Sequence, residues 1–384
     1  MNLRWPGNLA TLALLEQQPS STTQGGALNE QSFHRMIALE RKRTERSQKL
    51  FLLMLLGTGN GSPSTENEQV LSKVLSTLSV STRETDVTGW YKSNSMVGVM
   101  FTEVRSEDRG AIVPVMLARV TATLRRILSS EQFKKISISS YLFPEDWGRN
   151  ISQRPSNPAL YPDLLGRDHA RKIPSVVKRM MDLAGSALTL LALAPLFLII
   201  AIAIKISSKG PVFFRQKRIG QYGVHFVFLK FRSMYVNNDA SAHEKYVRAL
   251  IAGQAERQGS NGNGEGVYKL THDPRVTPVG NILRRTSLDE LPQFLNVFRG
   301  EMSLVGPRPP IDYEVEAYDL WHRRRLLEAK PGITGLWQVN GRSRVKFDDM
   351  VRLDLKYART WSPWLDVKIL MRTPRAVVSG DGAY

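Results

Sequence analysis

Two adjacent carboxylates, Asp289 and Glu290, follow closely on the basic pair Arg284-Arg285. An ionised carboxylate can attack phosphorus and form an acyl phosphate. A diphosphate substrate would need its charge neutralised first, by arginines and commonly by Mg²⁺. The same stretch, Ser287 to Glu290, also fits the helix capping box S-x-x-E, a purely structural use. Pro292 argues against that register. With Ser287 as cap, Pro292 would lie beyond the first turn and break a hydrogen bond. With Asp289 at or near the cap, it falls inside the first turn, where proline is tolerated. Both carboxylates would then sit at a helix N-terminus, where the dipole and the arginines favour their ionised forms. Taken alone, such a pair is structural more often than catalytic.

A second candidate is Arg308, inside the run GPRPP. Pro307 and Pro309 stiffen the backbone on either side and aim the guanidinium, as a phosphate or nucleotide contact requires. The alternative is a proline-rich turn with a solvated arginine. A third cluster lies in GPVFFRQKRIG and FLKFRSM, two short aromatic strands carrying Arg215, Lys217, Arg218, Lys230 and Arg232. Such a basic β-hairpin can bind substrate or lipid phosphate through arginine forks, or attract anionic lipid without catalysis. The glycines form no GxGxxG or P-loop pattern, and the histidines show no metal-ligand spacing.

These groups need a frame. Leu183 to Ile204 contains no charged residue. As a helix it would be about 33 Å long, close to a bilayer core. Lys178 and Arg179 precede it, and Lys205, Lys209 and Arg215 follow. Basic flanks mark the cytoplasmic side, and here both flanks are basic. Pro195 near the middle would kink the helix. A helix that enters and returns on one side satisfies both facts, with Thr189 or a neighbour serving the carbonyl that the proline frees. Trp361 and Trp364, near Lys368 and Arg372, suit either the headgroup level or core packing.

Upstream, the pattern alternates. A helix is predicted over Ser32–Gln48, a strand over Lys49–Leu56, a helix over Asn67–Leu78, strands over Asp86–Tyr91 and Met96–Val104, a helix over Ala111–Leu128 and a strand over Lys135–Phe143. The order βαββαβ is ferredoxin-like. The whole chain is therefore expected to be α+β. An arm covers 1–29, where a signal peptide fits poorly, and the ferredoxin-like domain covers 30–143. A proline-rich linker covers 144–174. A helix-rich catalytic domain covers 175–384, with the membrane segment at 183–204 and a polar surface loop over Ser241–Tyr268.

Composition bounds the partners. The 384 residues carry a formal net charge of +18 and no cysteine, which excludes disulfides and thiolate metal sites. The charge calls for an anionic partner. Nucleic acid is disfavoured, because the basic residues crowd around the apolar segment and no nucleic-acid fold is recognisable.

From about Ser175 to Tyr384 the motifs KRMMD, GPVFFRQKRIG, LKFRSM, DPRVTPVGNILRRTSLDELPQ, GEMSLVGPRPP, KPGITGLWQVNGRS and LDLKYARTWSPWLDVKIL stand in the order of one family. They resemble the bacterial sugar transferases, monotopic phosphoglycosyl transferases that act on polyprenyl phosphate. The resemblance implies that Asp289 attacks the β-phosphate of a UDP-sugar and releases UMP. Polyprenyl (undecaprenyl) phosphate would then take the phosphosugar, the first membrane step of exopolysaccharide, capsule or O-antigen assembly. It also implies Mg²⁺ at Asp289, an assisting role for Glu290, and Arg308 on the nucleotide. The family's membrane segment is a re-entrant helix broken at a proline, matching Pro195, on the cytoplasmic face of the bacterial inner membrane. Members often carry Ser before that proline, where Ala194 stands here. Sugar identity and homo-oligomerisation are left open.

Residues 30–143 resemble the nucleotide-cyclase/GGDEF group only in length and pattern. The first strand, KLFLLMLLG, has no carboxylate for a metal, and the hairpin tip is Lys92-Ser93-Asn94. A catalytically silent sensing or docking module is expected. A competing function follows from it, a membrane-docked signalling or scaffold protein acting through this domain.

Overall fold

The computed structural model describes residues 27–58, 65–104, 110–145, 157–164, 172–236, 241–254, 275–341 and 345–378. Most of the expected N-terminal arm, and the stretch QGSNGNGEG, lie outside the described residues. The chain forms two compact units, one within 27–164 and one within 172–378.

The first unit runs α1 (Glu30–Ser47), β1 (Leu50–Thr58), α2 (Thr65–Ser81), β2 (Val87–Lys92), β3 (Met96–Val104), α3 (Ile112–Ile127), α4 (Ser130–Lys134) and β4 (Ile136–Phe143). The sheet order is β2-β3-β1-β4, and the pairs are antiparallel. Central β1 is apolar along its length because both its faces are covered. Leu52, Met54 and Leu56 join Leu71, Val74 and Leu78 of α2 and Leu124 of α3 in one core. On the other face Phe33 of α1 needs the bare backbone of Gly98, where a Cβ would come within 2.2 Å of its ring. Residues 157–164, expected as linker, pack on this unit. Tyr161 is buried beside Phe143, lies under Arg41, and donates to Glu145 at 3.1 Å.

The second unit opens with α5 (Lys172–Ala192) and α6 (Ala194–Ser207). No single helix among the described residues is long and apolar enough to cross a membrane, but this pair meets that test together and is bent by 61°. Leu193 breaks the helix with ψ at 6°, beside Pro195, which has no N–H to give. The bend forms with Ala194 in place of serine. Thr189, expected to serve the freed carbonyl, instead donates back to the Gly185 carbonyl at 2.8 Å, a contact that itself favours bending.

The KRMMD run ties α5 to the rest of the unit. Lys178 Nζ lies 2.6 Å from Asp366 Oδ2 and donates to the Val305 carbonyl. Arg179 caps the last carbonyls of α9 (Gln293–Arg299), Val297 and Phe298, at 2.8 Å each. Asp182 accepts from Ser303 Oγ and Leu304 N at 2.9 Å each.

The predicted hairpin forms as β5 (Phe213–Ile219) and β6 (His225–Phe231), antiparallel. Ser241–Ile251, expected within a surface loop, is instead the helix α7, burying Ile251 and holding Arg248 between Glu244 and Glu316. Then come α8 (Pro278–Arg285), β7 (Ser303–Val305), α10 (Asp312–Glu316), α11 (Leu320–Glu328), β8 (Gly332–Thr334), α12 (Leu336–Asn340), α13 (Phe347–Thr360) and α14 (Pro363–Val378). The two tryptophans differ in burial. Trp361 donates to Asp366 at 3.1 Å in the interior, whereas Trp364 is exposed with Lys368 over its ring.

Candidate active site

Asp289 and Glu290 do not begin a helix. They lie in a 3₁₀ turn, Leu288–Glu290, which the left-handed Ser287 (φ 56°) introduces. Ser287 makes no capping bond. Pro292 is itself the cap of α9, where its missing N–H is harmless. The turn is oriented by its own leucines. Leu288 and Leu291 pack into a core of Ile200 and Ile204 from α6, Phe231 from β6 and Leu283 from α8. The base of the bent helix pair and the carboxylate turn therefore share one apolar seat.

The carboxylates face Lys230 of β6. Its Nζ lies 2.7 Å from Glu290 Oε1 and 3.5 Å from Asp289 Oδ2. The two carboxyls titrate apart. Burial raises Asp289 above the usual carboxylate range, helped by Glu290 and opposed by Lys230 and Arg284. Burial also works against charge on Glu290, but Lys230, Arg308 and Arg218 outweigh it and hold the group at about 2. The expectation that the dipole and the arginines favour the ionised form of both carboxyls holds in direction for Glu290 and is corrected for Asp289. Lys230 is the main cation for both, and α9 is too short and too late to contribute.

Cross-strand register sorts the basic hairpin. Phe214, Gln216 and Arg218 share a face with Lys230, Phe228 and Phe226, their partners on β6. Arg218 is buried, with its guanidinium over the Phe228 ring at 4.4 Å. Arg215 pairs with the buried Leu229 on the opposite face and is itself exposed, so it does not join Lys230. Arg232 is buried and committed elsewhere. It donates to the carbonyls of Lys209 and Ser208 and to Ser208 Oγ, closing the end of α6. Its expected role in phosphate binding is replaced by that cap. Arg284 is near enough to act on Asp289, while Arg285 is exposed.

The GPRPP strap is rigid for a reason beyond its prolines. Prolines offer carbonyls but no N–H. Each carbonyl from Pro307 to Pro310 has a donor. Gly332 N reaches Pro307 at 2.8 Å and Ile219 N reaches Pro310 at 3.0 Å. Arg325 reaches Arg308 at 3.2 Å and Arg218 reaches Pro309 at 2.6 Å. Pro307 and Pro309 are buried and the Arg308 side chain is exposed between them. The charge of Arg308 helps to lower Glu290.

Asn296, which sequence reasoning did not single out, is fully buried. Its amide donates to the Val227 carbonyl at 2.7 Å and accepts from Leu229 N at 3.1 Å, fastening α9 to the strand that carries Lys230. Among the described residues no group of three or more His, Cys, Asp or Glu could hold a metal by itself. The two carboxylates of the turn, which face Lys230, would leave a hard divalent cation most of its oxygen ligands to find elsewhere.

Residues 173–380 match the family model described as bacterial sugar transferase. The chain belongs to the bacterial sugar transferase family. This sugar transferase is 42% identical over 214 residues to the exopolysaccharide production protein ExoY of Sinorhizobium fredii, covering 56% of this chain and 91% of that one. It is 41% identical to the galactosyl transferase CpsE of Streptococcus agalactiae, over 54% of this chain and 43% of the relative. It is 40% identical to the undecaprenyl-phosphate galactose phosphotransferase of Salmonella typhimurium, over 56% of this chain and 43% of the relative. The chain thus spans less than half the length of the last two. A solved structure of a DGC protein from Thermotoga maritima aligns with 32% of this chain and 86% of its own, at 20% identity and a TM-score of 0.27.

Proposed function

We propose that this sugar transferase moves a sugar-1-phosphate from a UDP-sugar to polyprenyl phosphate through a covalent intermediate on Asp289. The observation that carries the reading is the turn itself, a buried aspartate beside an ionised glutamate, both facing Lys230 and seated on the base of the bent helix. In the first step an Asp289 oxygen forms a bond to the β-phosphorus. The bond from that phosphorus to the bridging oxygen breaks, and UMP leaves. In the second step a phosphate oxygen of the lipid attacks the same phosphorus and frees Asp289. Lys230 and Arg308 offset the negative charge that gathers around the phosphorus. Arg308 holds the nucleotide phosphate and Arg284 steadies Asp289. Asp289, with Glu290 beside it, would hold Mg²⁺, which would supply further charge neutralisation. The names of the relatives, an exopolysaccharide protein and an undecaprenyl-phosphate phosphotransferase, support the lipid acceptor and the pathway class.

The bent α5–α6 pair is read as a re-entrant segment that holds the catalytic unit on the cytoplasmic face of the inner membrane. Its support is the 61° bend and the basic residues on both flanks. The first unit is read as a ferredoxin-like, cyclase-related module without cyclase chemistry. Its hairpin tip is tied down, with Ser93 N and Oγ both donating to Glu30.

Full-length protein with polyprenyl phosphate, Mg²⁺ and a panel of UDP-sugars should release UMP with one or more of them. Asp289→Asn should abolish release, and turnover retained in that variant overturns the nucleophile.

A further inference from the structure

The Arg325–Asp354 ion pair lies in the interior, 5% and 1% exposed, with 2.7 Å between Arg325 Nη2 and Asp354 Oδ2. It joins α11 to α13. An ion pair is not needed there for stability, because well-packed apolar residues of similar volume do as well or better. What apolar residues could not do is donate. The same Arg325 nitrogen that meets Asp354 also donates to the Arg308 carbonyl at 3.2 Å. That carbonyl belongs to the residue whose side chain leaves the buried strap for the surface. Pro307 and Pro309 contribute no N–H, so the strap is held through its carbonyls, and Arg325 supplies the donor at its centre.

We propose that Arg325, locked in place by Asp354, is a positioning residue for Arg308. It fixes the main chain from which the guanidinium reaches substrate, and so sets how well the UDP-sugar is held. Asp354 fixes one arm of Arg325, and Tyr318 Oη lies 3.5 Å from the other. The proposal rests on the reading of Arg308 as a substrate contact. It adds two residues from distant helices that touch no substrate.

The test separates support from stability. Arg325→Met alone leaves Asp354 buried without a partner, so it should lower both the unfolding midpoint and activity. The double variant Arg325→Met/Asp354→Leu removes both charges, and its midpoint should return to near wild type. Its KM for the UDP-sugar should still stand about tenfold above wild type, with kcat changed much less. A purely structural pair predicts that KM recovers together with the midpoint, and that result overturns the proposal. If the double variant does not fold, Asp354→Asn keeps the shape and frees Arg325. It should raise KM several-fold in a folded protein, and a wild-type KM there also overturns the proposal. Arg308→Ala is the control. It should raise KM by itself, and the double variant made in its background should raise KM no further. An unchanged KM in Arg308→Ala defeats the reading of Arg308 and the proposal with it. A raised KM there beside a normal one in the double variant defeats the proposal alone.

Discussion

Lys230 Nζ stands 2.7 Å from Glu290 Oε1. Glu290 therefore holds the ammonium, and the longer 3.5 Å approach leaves Asp289 the less neutralised carboxylate. Adjacent residues of one chemical type thus meet the same ammonium differently, one in contact and one at longer range.

Lys230→Met should keep the fold and lower kcat for UMP release by about 10²-fold, the usual loss for one preorganised charge partner. Single-turnover release measures it. A rate within twofold of wild type would remove Lys230 from the chemistry.

Lys178→Met should strip Asp366 of its ion pair in a mostly buried position and lower stability by about 3–5 kcal/mol. Lys178→Met/Asp366→Leu should recover most of that. Thermal unfolding of the detergent-solubilised protein reads both.

His322 makes stability depend on pH. Asp319 N donates to its Nδ1 at 3.1 Å, so the proton sits on Nε2, which faces Asp348. Burial lowers its pKa below the ordinary value, against the pull of Asp348 and Asp319. In the window between the lowered value and about 6.5, the unfolded chain binds the proton and the folded chain does not. The stability is fully present above that window and is lost as the pH falls through it. Unfolding midpoints from pH 7.5 to 5 should decline in the wild type and decline less in His322→Gln.

The cysteine-free sequence allows single-cysteine labelling without background. Val176→Cys and Lys209→Cys, on the two flanks of the bent helix pair, should react with an impermeant thiol reagent in inverted vesicles and stay unlabelled in intact spheroplasts. Labelling of one flank from each side would show that the pair crosses the bilayer.

Local patterns made the first unit and the hairpin legible. The apolar run of β1 and the aromatic residues of β5 and β6 are properties of short stretches, and β1 and β5 form within the runs that carry them, whereas β6 starts three residues before Phe228 and ends at Phe231, leaving Arg232 just beyond it. Pro292 correctly spoke against Ser287 as a cap. The helix starts three residues later than Asp289, with Pro292 as its cap, because a 3₁₀ turn introduced by the left-handed Ser287 comes first, which no propensity announces. The roles of the arginines were the least legible. Arg215 and Arg232 looked like phosphate ligands, but one is exposed on the face opposite Lys230 and the other closes a helix. Arg218 and Arg325, which hold the strap, work through partners far away in sequence. Such pairings arise only when the chain has folded, and nothing in the flanking residues encodes them.

The fastening of α5 by Lys178, Arg179 and Asp182 also sets a length. Between Asp182 and the break at Leu193 the helix rises roughly 16 Å at its standard pitch. If the break marks the deepest point in the lipid, this stretch works as a gauge rod between bilayer and reaction centre. One residue added to it would deepen the tip by about 1.5 Å and turn it by about 100° relative to the body. A lipid phosphate waiting at a fixed height would then meet Asp289 out of line, although every residue of the site was unchanged.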